Sequence, residues 1–448
     1  MKGKRLSPAQ GMALSFAAVI LAGSVLLCQN WAAVPGKKLR FVEALFTATS
    51  ATCVTGLSVR PPGDFTVAGQ IVILTLIQVG GLGVMTFGLF FALLLGGRLS
   101  LFGRQMVLSS LAAEPWEDFW PLLKTVMGAT LVVETAGALL LAVAWWPEKG
   151  PAAIGWGFFH AVSAFCNAGF GLHPDSLIPF RTNALVNFTI GMLIIVGGVG
   201  FLPVADLWDR WRSRKRRPLS LHSRLVLATT GALLLCGWVG FAVLEWGNVL
   251  AGLSWNEKLW AVWLAGITPR TAGFANVDYG HLTPATLLFT MVLMFIGASP
   301  GSTGGGIKTT TFAVLFALVV ARVRSHRKVT AMGRRFSADT LGAAVTLTVL
   351  AAAAVITGFV AVSLVEHGSG GGLGPQSSFL REAFDVVSAF GTVGLSTGIT
   401  PSLKPESWLV EVALMYIGRI GPLTLSVALL GRAPKPEPEL AEESVMVG

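Results

Sequence analysis

The 448-residue chain is 53% hydrophobic and only 12% charged, with a mean hydropathy of +0.69. A soluble surface needs about a quarter of its residues charged, so this composition excludes a soluble globular protein and reads as a polytopic membrane protein. The formal charge of +10 raises nucleic-acid binding, which the placement of the basic residues removes.

Four units follow one plan, over residues 1–99, 100–217, 218–330 and 331–448. Unit one has an apolar helix (11–28), a short apolar segment (42–50), a glycine loop and a long apolar helix (67–95). The first helix is long, lacks a convincing cleavage site and is followed by similar spans, so it is a membrane helix and not a signal peptide. Unit two repeats the plan with 121–146, 155–166 and 182–205. Unit three has 225–244, 257–267 and 282–321, and unit four has 340–365, 379–390 and 409–430. The fold class is all-α: four helix–re-entrant helix–helix repeats around a central pore, with eight spans in total.

Orientation follows from the cations. Lys2, Lys4 and Arg5, then Arg210, Arg212, Arg214, Lys215, Arg216, Arg217 and Arg224, then Arg322, Arg324, Arg327, Lys328, Arg334 and Arg335 fall on one side if each unit crosses twice. That side is cytoplasmic, with both termini inside, so the charge is topology and no nucleic acid is implied. The tail from Ala433 is rich in Pro and Glu and reads as mobile. Cys28, Cys53, Cys166 and Cys236 show no CxxC spacing, which argues against a metal site or disulfide framework.

The glycine loop recurs as Ala51–Leu57, Ala164–Phe170, Thr268–Phe274 and Ala389–Leu395, centred on Gly56, Gly169, Gly273 and Gly394. An aromatic residue stands at one fixed distance before each glycine: Phe46, Phe159, Trp263 and Phe384. The preceding short segment is under half a bilayer thick, so it dips in and returns. Non-helical backbone at that depth survives only where it lines a wet cavity or is buried in protein. A cation leaving water needs its hydration shell replaced, and a ring of carbonyls does this. The expected filter is Thr52, Cys53, Val54, Thr55 and Gly56; Cys166, Asn167, Ala168 and Gly169; Arg270, Thr271, Ala272 and Gly273; and Gly391, Thr392, Val393 and Gly394. The ion would sit on the carbonyls of the last three residues of each set. Short helices aimed at the cavity by their C-terminal ends would also favour a cation.

Arg270 breaks the pattern, standing where the other loops have Cys53, Cys166 and Gly391. It is expected to point away from the axis, bonding to carbonyls or to an acid such as Asp385 or Glu43; the alternative is a solvent-facing arginine at the outer mouth. A second repeat lies along the second helices: Gly80–Gly83, Gly197–Gly200, Gly297–Pro300 and Gly418–Gly421. Ordinary packing accounts for the first two groups. In unit three, residues 298–311 carry Pro300 and a run of glycines, and one helix through them would be twice the hydrocarbon thickness, so a break is expected. A polar loop beneath the filter would suit a gate formed by Gly301, Ser302, Thr303, Gly304, Gly305, Gly306 and Lys308, the alternative being a static kink. It is no phosphate loop, because Ile307 separates Gly306 from Lys308. In unit four, Arg419 stands mid-helix, either opposing the cation or holding the unit-three loop shut. Glu134 is the other midspan charge and is read as a packing or interface partner, the alternative being a proton carrier.

These four loops, the 301–306 stretch and Arg419 resemble the bacterial Trk/Ktr potassium-uptake superfamily over nearly the whole chain. With one helix ahead of the first loop, the chain is similar to the KtrB-type membrane subunits. The resemblance implies K+ as permeant ion with some Na+ influence, a homodimer in the bacterial inner membrane, and an octameric KtrA-like cytoplasmic ring that binds the nucleotide. The basic loops would meet that ring or anionic lipid. A Na+- or H+-coupled symporter is the rival. An enzyme is not expected, since HExxH and GxSxG are absent and the histidines are scattered.

Overall fold

The structure is a computed structural model that describes residues 8–94, 119–212, 218–326, 328–368, 376–422 and 424. Lys2, Lys4, Arg5, Arg214, Lys215, Arg216, Arg217, Arg327, residue 95 of the first long helix, residues 425–430 and the tail from Ala433 lie outside them.

The described chain is almost entirely helical. Unit one comprises α1 (Pro8–Leu27), α2 (Phe41–Thr52) and α3 (Val67–Leu94). Unit two comprises α4 (Phe119–Lys149), α5 (Ala152–Phe165), α6 (Ala184–Val199) and α7 (Phe201–Arg212). Unit three comprises α8 (Leu221–Glu245), α9 (Trp255–Ile267), α10 (Pro284–Phe295) and α11 (Thr309–Val323). Unit four comprises α12 (Ala338–His367), α13 (Gln376–Gly391) and α14 (Pro405–Ile420). A two-residue hairpin, β1 (Thr330–Ala331) against β2 (Arg334–Arg335), is the sole sheet among the described residues.

Each unit opens with a long apolar rod. Among the described residues four helices, in α1, α4, α8 and α12, are long and apolar enough to span a membrane, or five if the bent pair α6–α7 is one span. Their outer faces are bare hydrocarbon: Leu131, Val132 and Val143 on α4, and Val349 and Ile356 on α12, are exposed, as lipid-facing residues must be. The inner faces are small. Gly358 of α12 lets Leu414 of α14 approach so closely that a Cβ there would meet its methyl at 2.6 Å.

The second helices depart from the expected single rods. Unit three breaks between Phe295 and Thr309, where a break was expected. Unit two, expected to run through 182–205, also breaks: Gly200 adopts φ +86° and α7 turns away from α6 by 96°. The reason is close approach, since a Cβ on Gly200 would lie 2.9 Å from the Pro300 carbonyl. In unit four, expected as 409–430, the helix breaks after Ile420, with Gly421 at φ +92°.

The first glycine of three groups serves one purpose. Gly80, Gly197 and Gly418 lie so near the carbonyls of Thr52, Phe165 and Phe390 that a Cβ would stand within 1.8–1.9 Å of the oxygen. Each second helix is thus pressed onto the inner end of its own unit's short helix. In unit three the corresponding Gly297 faces Gly305 of the interrupting loop instead.

Candidate functional site

The four short helices end alike. Two residues before the loop glycine, Val54, Asn167, Thr271 and Thr392 hold φ between +49° and +64°. Gly56, Gly169, Gly273 and Gly394 themselves lie between +70° and +99°. The intervening Thr55, Ala168, Ala272 and Val393 keep negative φ. This alternation of sign turns successive carbonyls toward one side, whereas along a strand they point to opposite sides in turn. Left-handed Val and Thr are true outliers, costing roughly 1–3 kcal/mol each, and such strain persists only where the surroundings impose it.

The loops then close on one another. A Cβ on Gly56 would meet the Ala168 carbonyl at 2.4 Å and the Gly169 Cα at 3.1 Å; on Gly169, the Gly273 Cα at 2.8 Å; on Gly273, the Val393 carbonyl at 2.6 Å; and on Gly394, the Thr55 carbonyl at 2.0 Å and the Gly56 Cα at 3.0 Å. The circuit runs through all four glycines and returns to its start. The same four line one cavity of ≈ 350 Å³, together with Arg60, Phe159, Phe170 and His173. At its mouth, outside the spanning helices, Glu43 accepts from the Arg40 N–H at 2.9 Å and from Arg60 at 3.0 Å. Burial pushes the Glu43 carboxyl up, but the Arg40 and Arg60 bonds outweigh it and hold it below its ordinary value.

The unit-three loop lies against the inner side of the circuit. A Cβ on Gly304 would come 2.2 Å from Thr271 Oγ1, and one on Gly305 2.1 Å from Thr392 Oγ1. Its own backbone is tied to unit two: Ser299 N donates to Gly198 O (3.1 Å), Thr303 N to Gly197 O (3.3 Å) and Phe201 N to Gly301 O (3.2 Å). Thr303 Oγ1 donates to Phe165 O at 3.0 Å, and Lys308 Nζ folds back onto Gly304 O at 2.7 Å. Arg419, buried, reaches in from unit four. It donates to Thr303 O through Nη1, and through Nη2 to Gly80 O at 2.6 Å and Gly81 O at 3.4 Å. One guanidinium therefore clamps the loop to helices of units one and four.

The TrkH family profile, described as a cation transport protein, matches residues 9–439. The chain belongs to this family. That places it among membrane transporters and not enzymes. Potassium/sodium uptake protein NtpJ of Enterococcus hirae is 37% identical over 99% of this chain and 98% of its own. Ktr system potassium uptake protein B of Bacillus subtilis is 38% identical over 95% of this chain and 93% of its own. The crystal structure of the potassium transporter TrkH from Vibrio parahaemolyticus shares the fold, with TM-score 0.72 and 17% identity over 96% of this chain and 86% of that one.

Within this family frame the expected positions divide. The structure brings the four loop glycines, the 301–306 stretch, Lys308 and Arg419 into one assembly. Arg270 does turn away from the glycines and is buried, so it is not a solvent-facing mouth residue. Its partner is neither Asp385 nor Glu43, however: Nη2 donates to Thr230 Oγ1 of α8 at 3.3 Å. Asp385 is taken by Ser396 and Thr400, and Glu43 by Arg40 and Arg60. Glu134 accepts from Gln78 of α3 at 3.2 Å and lies behind Cys166. All four cysteines are free.

Two features escaped sequence reasoning. Ser50 and Ser388, six positions before their glycines, accept the N–H of Gly56 at 3.0 Å and Gly394 at 3.1 Å. Ser163 holds the same position in unit two, so aligning the repeats at that offset would have found them. The other is Glu411 on α14. It is buried, and neither carboxylate oxygen has a hydrogen-bond partner among the described residues. One such residue in an apolar helix carries no pattern to reveal it.

Proposed function

We propose that this chain is the potassium-translocating subunit of a Ktr-type uptake system, passing K+ inward down the membrane potential. That potential supplies about 2.3 kcal/mol per charge per 100 mV. Carbonyls of Val54, Thr55, Gly56, Asn167, Ala168, Gly169, Thr271, Ala272, Gly273, Thr392, Val393 and Gly394 would replace the ion's water. The closed circuit of four left-handed glycines is the observation that carries this reading. Residues 301–306 with Lys308 act as the gate, and Arg419 keeps it closed through Thr303. On this reading the chain works as a homodimer in the bacterial inner membrane, termini inside, beneath the control of a nucleotide-binding KtrA-like ring, with Na+ modulating or sharing the path. Its repeats are the four units bounded at residues 99, 217 and 330.

Rubidium influx into vesicles holding the purified chain tests this. Influx that saturates with K+-like preference supports it; no cation flux with folded protein ends it.

A coupled symporter is the second reading. Two buried carboxyls favour it: Glu411, without a partner, and Asp385, whose Oδ1 has none among the described residues. Midspan carboxyls are the usual carriers of coupling. A reversal potential at the potassium equilibrium value, independent of proton and sodium gradients, rules coupling out.

A further inference from the structure

Helix α7 takes no part in the filter or the clamp. It leaves α6 at 96°. α6 has 16 residues, about 24 Å of rise against a hydrocarbon core of about 30 Å. A helix at right angles to a span, near the inner end of that span, runs along the membrane plane. Val204, Leu207, Trp208 and Trp211 fall at i, i+3, i+4 and i+7, one face of a helix. All four are exposed, Trp208 by 55% and Trp211 by 78%, and the two indoles meet at 5.3 Å.

The opposite side is fixed: Asp206 Oδ2 accepts from Ser220 Oγ at 2.7 Å and Ser223 Oγ at 2.5 Å, tying α7 to the start of α8. Arg210 is exposed, and the sequence continues with Arg212, Arg214, Lys215, Arg216 and Arg217. An apolar face with paired indoles and a cationic end is the composition of a helix lying in an anionic leaflet.

The start of α7 touches the unit-three loop itself. Phe201 N donates to Gly301 O, and Gly197 and Gly198 at the end of α6 accept from Thr303 and Ser299. Gly200 has no room for a Cβ against that loop, so the elbow is packed directly on it.

We propose that α7 lies in the headgroup region of the cytoplasmic leaflet, is held there by anionic phospholipid, and through the Gly200 elbow sets the position of the 296–308 loop, so that ion flux depends on anionic lipid. The coupling rests on the loop being the gate, whereas the membrane placement of α7 does not.

The purified full chain is reconstituted in phosphatidylcholine vesicles with rising fractions of phosphatidylglycerol. Two readouts are taken: rubidium influx, and the immersion depth of a spin label at Trp211→Cys in a background of Cys28→Ser with Cys236→Ser, the two cysteines that are not buried. The label is expected at the headgroup–acyl boundary. Influx should change about five-fold or more between neutral and anionic vesicles, the factor that one basic residue at an anionic surface supplies. Trp208→Ser with Trp211→Ser should flatten that dependence while leaving influx in neutral vesicles. Arg210→Gln with Arg212→Gln, which keeps the apolar face, should shift it to higher phosphatidylglycerol. A label in water at every composition overturns the proposal, as does a lipid dependence identical in all variants. Lipid-independent influx in the parent, with the α7 variants losing only control by a cytoplasmic protein, overturns it in favour of a protein partner. A label at the boundary with no cation flux in any sample would refute the transport reading and the coupling, and support the placement alone.

Discussion

Replacing Arg419 by glutamine takes one guanidinium from between three elements. The arginine donates to Thr303 O on the loop and to Gly80 O at 2.6 Å on α3. Hydrogen bonds from a charged donor contribute about 1.5–3 kcal/mol each, and glutamine retains at most one of them. The closed position of the loop should therefore lose roughly 2–3 kcal/mol, raising the open-to-closed ratio roughly 30- to 150-fold. Removing the charge also lowers the barrier to a cation by roughly 2–4 kcal/mol at a few ångströms and an effective dielectric near 20. Both effects raise flux. Initial rubidium influx into vesicles, at a fixed potassium diffusion potential, measures their sum. Arg419→Lys separates them, keeping the charge but not the two-armed reach: higher flux in this variant assigns the effect to the clamp, and parental flux assigns it to the charge. Unchanged or lower flux in well-folded Arg419→Gln would refute the reasoning.

Gly394→Ser puts a Cβ into a site at φ +90°, 2.0 Å from the Thr55 carbonyl, and should raise the potassium concentration for half-maximal uptake at least about five-fold, given the 1–2 kcal/mol cost of the conformation alone; unchanged half-saturation counts against the filter. Ser388→Ala leaves the Gly394 N–H without its acceptor, about 1–3 kcal/mol of local cost, and should weaken discrimination of rubidium over sodium in competition uptake. Deleting 304–306 should raise influx if the loop gates, and leave it unaltered if the loop is a fixed kink. Glu43 has a folded value below its ordinary one, so its stabilisation is present at neutral pH and lost as pH falls through that lower value. Thermal stability should thus hold from neutral pH to about pH 5 and fall below it, and Glu43→Gln should lessen that acid-side loss.

The four glycine loops were legible because glycine and an aromatic residue recur at fixed offsets, and the helical fold because apolar runs have lengths set by the bilayer. Short helices came within a few residues of their observed limits, as 42–50 against Phe41–Thr52 illustrates. The strained residues were not legible, because Val54, Thr271 and Thr392 are β-branched and every local preference opposes the φ they hold. Only the neighbouring loops impose it. The Gly200 elbow was hidden for a related reason. Gly197–Gly200 suits close packing as well as a break, and the choice depends on Pro300 and Gly301, far away in sequence. Arg270 had acids within plausible reach on paper, but each of those was already committed to nearer donors.

The central claim is that a cation sits on main-chain oxygens inside the circuit of Gly56, Gly169, Gly273 and Gly394. Anomalous scattering from thallous ions bound to the purified chain tests it most directly. Density is expected on the axis shared by the four loops, within reach of the carbonyls of Thr55, Ala168, Ala272 and Val393. Ions found instead beside Asp385 or Glu411, with that axis empty, would contradict the account.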